Sequence, residues 1–166
     1  MKKINFIYIT AIVLFFGCAT LKDDTSKKQS FIEASVDLIN VENDKVKIII
    51  NPPKITQEEI IFYIPQIVPG TYEYSNFGRF VENVKALDNK GKSLKVETID
   101  ENSWKIFDAK KLDRVTYYAN DTFDGPEGKD IYPMGGTNFK EEETFLLNLH
   151  SMIGYFEGFK ESSYNL

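Results

Sequence analysis

From Phe31 onward, apolar residues recur at every second position. Ile32, Ala34, Val36 and Leu38 alternate with Glu33, Ser35 and Asp37, the repeat of a strand with one dry and one wet face. All four apolar side chains are therefore expected to face inward. Glu42-Asn43-Asp44 reads as a turn. Val46, Ile48 and Ile50 then alternate with Lys45 and Lys47, so the two segments form an expected hairpin. Pro52-Pro53 ends it, because proline lacks the N–H that a ladder needs. Ile60 to Ile64 is apolar throughout and is expected to be a strand covered on both faces.

The same reading continues through Phe80–Leu87, a turn at Asp88-Asn89-Lys90-Gly91, and a return through Leu94, Val96 and Thr98. Gly91 stands where a positive φ is expected. Asn102-Ser103 turns the chain again, and Trp104, Ile106 and Phe107 make a short strand. Arg114 to Phe123 is rich in Val, Thr and Tyr, which suit a pleated surface. Short strands at this spacing predict an all-β fold, an antiparallel β-sandwich or a saddle-like double sheet, with little helix outside the N-terminal segment. Asp124 to Lys140 crowds Gly125, Pro126, Gly128, Pro133, Gly135 and Gly136 together and reads as an irregular loop. Thr144 to Phe156 turns apolar again.

Ahead of the strands the pattern is different. Lys2 and Lys3 precede an apolar stretch, Ile4 to Gly17, interrupted by Asn5 and Thr10. It is too short to cross a bilayer, which takes about 20 residues, and has the length of a secretory signal. It ends in Phe15-Phe16-Gly17-Cys18, which resembles a bacterial lipobox loosened at the two phenylalanines. That resemblance implies cleavage before Cys18 and a lipid on its sulfur, an anchor to the membrane. Ala19-Thr20-Leu21-Lys22-Asp23-Asp24 resembles the surface-export signal of Bacteroidetes lipoproteins. The implied organisation is a signal peptide over 1–17, a polar tether over 18–30, a β-rich domain over 31–159, and a tail or the truncated start of a following domain over 160–166. The implied location is the bacterial cell envelope, as an outer-membrane lipoprotein exposed at the surface.

Composition narrows the chemistry. The 166 residues are 42% hydrophobic and 14% aromatic, enough for one domain with a real core. The net charge of -5 argues against nucleic acid as a partner. A single cysteine excludes a disulfide framework, and one Cys with one His cannot make a four-ligand zinc finger. His150, the one histidine, is expected to be a partly buried residue bonded to backbone, since adjacent Ser151 would point to the opposite face of a strand. No HExxH, Gly-x-Ser-x-Gly or phosphate-binding glycine loop is present. The acidic run Glu141-Glu142-Glu143 reads as a solvated face. Trp104, Tyr72, Tyr74, Tyr117 and Tyr118 are expected to pack the sheets, with a sugar-stacking platform as the alternative.

One segment is sharper than its surroundings. Ile64-Pro65-Gln66-Ile67-Val68-Pro69-Gly70-Thr71-Tyr72-Glu73-Tyr74-Ser75-Asn76-Phe77-Gly78-Arg79 resembles the "P-G-S-Y … R" signature in the N-terminal domain of glycyl aminopeptidase-type zinc metallopeptidases. Pro69, Gly70, Tyr72 and Arg79 match, with Thr71 for the usual Ser. Asn89-Lys90-Gly91-Lys92 resembles that family's "D-x-x-G-K" turn, and Trp104-Lys105-Ile106 its "W-x-[IV]" strand. Gly136-Thr137-Asn138-Phe139, Leu147-Asn148-Leu149-His150 and Gly154-Tyr155-Phe156-Glu157-Gly158 resemble the segment ending that domain. The resemblance covers about Phe31 to Phe159.

It implies a β-rich domain that precedes an HExxH zinc domain, and usually a PDZ domain, in full-length members. The sequence here has no HExxH, so no catalytic or zinc-binding residue is carried over and no cofactor is expected in this chain. Its implied role is a non-catalytic scaffold or interaction domain with a metallopeptidase catalytic domain as partner. The alternative is a self-sufficient surface module for peptide or glycan. Pro69-Gly70 has the residue order of a type II turn, and Arg79 offers a donor fork for a carboxylate or for backbone carbonyls. A detached domain is further expected to leave an apolar surface around Leu146 to Phe156.

Overall fold

The computed structural model describes residues 31–124, 131–140 and 143–166; Cys18, its flanking segments, Gly125, Pro126, Gly128, Glu141 and Glu142 lie outside them. Two sheets face each other. The larger one contains β1 (Phe31–Glu42), β2 (Lys45–Asn51), β4 (Val81–Asp88), β5 (Ser93–Leu94), β8 (Leu112–Asn120) and β12 (Ser163–Asn165), in the order β12-β1-β2-β8-β4-β5. The smaller one contains β3 (Glu59–Tyr63), β6 (Val96–Asp100), β7 (Ser103–Phe107) and β11 (Tyr155–Phe156), in the order β11-β3-β7-β6. A hairpin of β9 (Asn138–Lys140) and β10 (Thr144–Leu146) completes the strands among the described residues. Among the described residues, helix is limited to short 3-10 turns at Phe77–Phe80 and Ala109–Lys111 and to α1 (Leu149–Met152). The expected all-β sandwich is the fold.

The hairpin of β1 and β2 turns on Asn43 and Asp44, whose φ values of 54° and 55° are both positive. This is the left-handed pair that a twisted two-residue hairpin demands. Val46, Ile48 and Ile50 point inward and are fully buried. On β1 the expected alternation holds for Ile32 and Ala34 but fails at Leu38, which is exposed. The Asp37 carboxylate accepts the N–H groups of Ile39 and Asn40, each at 3.0 Å, and the Asn40 side-chain amide, followed by these backbone bonds, holds the carboxyl below its usual range. The ladder with β2 breaks between Asp37 and Glu42. The inward parity shifts, so that Val41 is buried and Ile39 is 92% exposed. A bulge re-aims side chains in this way.

Three further features depart from a plain meander. The return after Gly91 (φ 78°) is split: β5 pairs with β4, but β6 pairs with β7 in the other sheet. Lys95 thus carries the chain from one sheet to the other. The strand at Ile60–Ile64 has one fully covered face, Ile60 and Phe62, while Ile61 and Tyr63 are half-buried. Residues 160–166, expected as a tail or the truncated start of a following domain, contain β12, which runs parallel to β1 with Phe31 opposite Ser163.

The core joins the sheets through aromatic rings. Phe62 of β3 meets Tyr117 of β8 at 5.7 Å, Phe156 at 5.2 Å and Trp104 at 6.3 Å. Such pairs add about 0.5–1.5 kcal/mol each beyond their burial. By comparison, every ion pair among the described residues has both side chains at least one-third exposed, where a pair contributes about 0–1 kcal/mol. Packing, not charge pairing, holds the sandwich together.

Candidate functional site

The signature segment forms a closed loop between β3 and β4. Its base is tied where the Gln66 carbonyl accepts the N–H groups of Ser75 (2.8 Å) and Asn76 (3.0 Å). At its near end Pro69 and Gly70 make the expected turn: Gly70 has φ 92° and the Thr71 N–H reaches the Val68 carbonyl. A side chain at Gly70 would meet nothing within 4 Å, so backbone strain alone decides its replacement. Gly70→Val is expected to cost about 1–3 kcal/mol for that reason; an unchanged midpoint in a urea titration would remove the role.

The loop displays its tyrosines and buries Phe77. Tyr72 has φ 56° and is 96% exposed, and Tyr74 is also exposed. Trp104 and Tyr117 are buried in the core, and Tyr118 is half-buried on β8. The five aromatics therefore make no common platform: two are displayed and two pack the sheets. Among the described residues Arg79 makes none of the side-chain hydrogen bonds to carboxylates or carbonyls that its fork suggested. Its guanidinium lies over the Phe80 ring at 5.0 Å, and its Nε is buried without a partner among the described residues. The loop end is held instead by Asn102, a buried residue whose Oδ1 accepts the Gly78 N–H at 2.9 Å and whose carbonyl accepts the Ile64 N–H at 2.9 Å. Asn102 looked like a plain turn residue, and its spacing carried no signal of this role.

A second polar junction lies where β8 meets the segment after α1. The Tyr117 hydroxyl donates to the Met152 carbonyl (2.8 Å) and accepts the Gly154 N–H (3.0 Å). Tyr164 donates to the Gly154 carbonyl at 3.0 Å. Tyr155 stacks on Tyr63 at 5.2 Å. Burial pushes both phenols up, Tyr164 to about 12 and Tyr117 beyond ordinary titration. A phenol whose folded pKa is raised supports the fold below about pH 10, its unfolded value, and that support is lost as pH rises toward the folded value. Tyr117→Phe strands two buried backbone groups and is expected to cost about 2 kcal/mol at neutral pH. It should also flatten the alkaline decline in stability above pH 10. Urea titrations of both proteins along that pH range check it.

Asp121 is a third junction that sequence reading missed. Its buried carboxylate accepts the N–H groups of Phe123 and Phe139, each at 2.6 Å, and so clamps the two ends of the glycine-rich loop. Its proximity, after burial, helps to raise the carboxyl of Asp124.

His150 is exposed on α1, not partly buried as expected, and its backbone N–H donates to Asn148 Oδ1 at 3.1 Å. It borders an open groove of about 550 Å³ between the edges of the two sheets, shared with Lys160, Tyr155 and Tyr164. Among the described residues no three His, Cys, Asp or Glu side chains gather where they could hold a metal ion. The zinc that the family resemblance implies therefore has no fitting donor set in the described part of this chain. The expected bare surface from Leu146 to Phe156 is bare only in part: Leu146 and Leu149 are exposed, whereas Met152 and Phe156 are core residues.

The comparisons with known proteins agree with this architecture. A family model described as Peptidase M61 N-terminal domain matches residues 33–166. Among solved structures, an aminopeptidase N family protein from Idiomarina loihiensis is similar at 19% identity with a TM-score of 0.64. The match covers 78% of this chain but 20% of that one, and at that identity it speaks for the fold. No curated protein matches the chain.

Proposed function

Because the chain belongs to the peptidase M61 N-terminal domain family, we propose that it is a non-catalytic domain, a scaffold and contact surface for a zinc metallopeptidase catalytic domain. The observation that carries this reading is how its polar side chains are spent. Asn102, Asp121, Thr122 and Tyr117 are buried, and each is bonded to backbone. The signature loop displays Ile67, Tyr72 and Tyr74 beside Gln66 and Glu73, a mixed surface of apolar, aromatic and polar groups that suits contact with a partner. A lipid on Cys18 would hold the domain at the bacterial cell envelope, with the polar segment after it as tether.

The purified chain, incubated with zinc and Gly- or Ala-p-nitroanilide, is expected to give no turnover. Hydrolysis abolished by a chelator would overturn the non-catalytic reading. Crosslinking in the native host tests the partner: a zinc metallopeptidase domain should be recovered, and recovery should fall with Tyr72→Ala. Palmitate labelling of the wild type and of Cys18→Ala tests the anchor, and equal labelling would defeat it.

A further inference from the structure

Tyr72 stands in a conformation that its residue type avoids. Its φ of 56° lies in the left-handed region, where a Cβ crowds the following carbonyl oxygen. Packing against its own chain gives little in return, since the residue is 96% exposed. The backbone around it fixes the bend. The Thr71 N–H and hydroxyl both reach the Val68 carbonyl, at 3.2 Å and 2.8 Å. Asn102 Nδ2 donates to Asn76 Oδ1 at 3.3 Å, beside the two N–H groups that the Gln66 carbonyl already holds. Gly135 lies against the tip, where a Cβ would sit 3.6 Å from Thr71 Cγ2. A strained residue persists only where its surroundings over-determine it, and such residues gather where ligands are held. Strain at a ring left in solvent is therefore repaid from outside the chain.

We infer that Tyr72 is the preset anchor of the docking proposed above, a ring that enters a pocket on the zinc metallopeptidase domain without rearrangement of the signature loop. The inference deepens the scaffold reading and rests on it: it names the residue that seats and the chemistry of the pocket that takes it. With its base tied and its tip exposed, the loop projects, so its counterpart is a concavity. A tyrosine has an apolar body and a polar end, which calls for apolar walls and a hydrogen-bonding floor. Glu73 is the one charged side chain from Pro65 to Asn76, and it is exposed. A Lys or Arg at the rim of the pocket complements it. A loop that is already set gives up little conformational freedom on binding, which is the return on the strain.

Two measurements on the full chain test it. Tyr72→Gly should melt about 3 °C higher than the wild type, because relief of the left-handed backbone outweighs the freedom that glycine adds to the unfolded chain. Tyr72→Ala keeps its Cβ, and so the strain, and should melt within about 1 °C of the wild type. Chemical crosslinking in the native host should recover the peptidase domain about tenfold less from either variant than from the wild type. A variant that gains stability while it loses docking separates an anchor from a residue that serves the fold. A lower melting temperature for Tyr72→Gly, or undiminished recovery with both variants, would overturn the inference and leave the scaffold reading standing. A wild-type chain that recovers no peptidase domain would overturn the scaffold reading and this inference with it.

Discussion

Gly78→Ala is expected to lower the melting temperature by about 10 °C, the equivalent of about 3 kcal/mol for a domain of this size. Intrinsic preference points the other way, since Gly→Ala at an ordinary backbone conformation often stabilises by about 0.4–1 kcal/mol. Contact decides here. A Cβ at Gly78 would lie 1.9 Å from the Glu101 carbonyl oxygen and 2.8 Å from Asn102 Cα. Both are backbone atoms of the turn between β6 and β7, so no side chain can swing aside. The Phe77–Phe80 turn would have to lift away and lose the buried bond from the Gly78 N–H to Asn102. Thermal unfolding followed by circular dichroism checks this; a shift of less than about 2 °C would show that the two segments can slide apart freely.

Gly154→Ala is expected to cost about as much, through the aromatic core. The added methyl would sit 2.1 Å from Phe62 Cζ and 2.8 Å from the Tyr63 carbonyl oxygen. Phe62 cannot turn away, because Trp104, Tyr117 and Phe156 surround its ring. Displacing Gly154 instead breaks its N–H bond to the Tyr117 hydroxyl. The loss should be about 3 kcal/mol. Combined with Tyr117→Phe it should fall short of the sum, because both substitutions break the same bond. Additive losses in a double-mutant cycle would separate the two residues.

Much of the fold was legible because strand periodicity and turn chemistry are local. Val46, Ile48 and Ile50 alternate and are buried, and Gly70 and Gly91 take the positive φ that their turns require. What escaped was set by partners far along the chain. Leu38 faces out because Asp37 captured two N–H groups, a choice that alternation alone does not reveal. The split between β5 and β6 at Lys95 reflects which neighbour each segment finds, and the parallel β12 pairs with a strand more than a hundred residues away. For the site, the signature residues were visible but their roles were not. Arg79 lies on a ring, Tyr72 is displayed, and the residue that holds the loop is Asn102, which resembles any turn asparagine until its Oδ1 is seen on Gly78.

The pairing of β1 with β12 has a consequence for biogenesis. The rim of the larger sheet cannot close until the codons for Ser163–Asn165 have been translated and those residues have left the ribosome. At about 5–20 residues per second, a nascent chain spends several seconds with Phe31–Glu33 waiting for its mate. Contacts of such long sequence separation also form slowly. For that interval this margin of β1 is a bare template, open to pairing with another newly made chain.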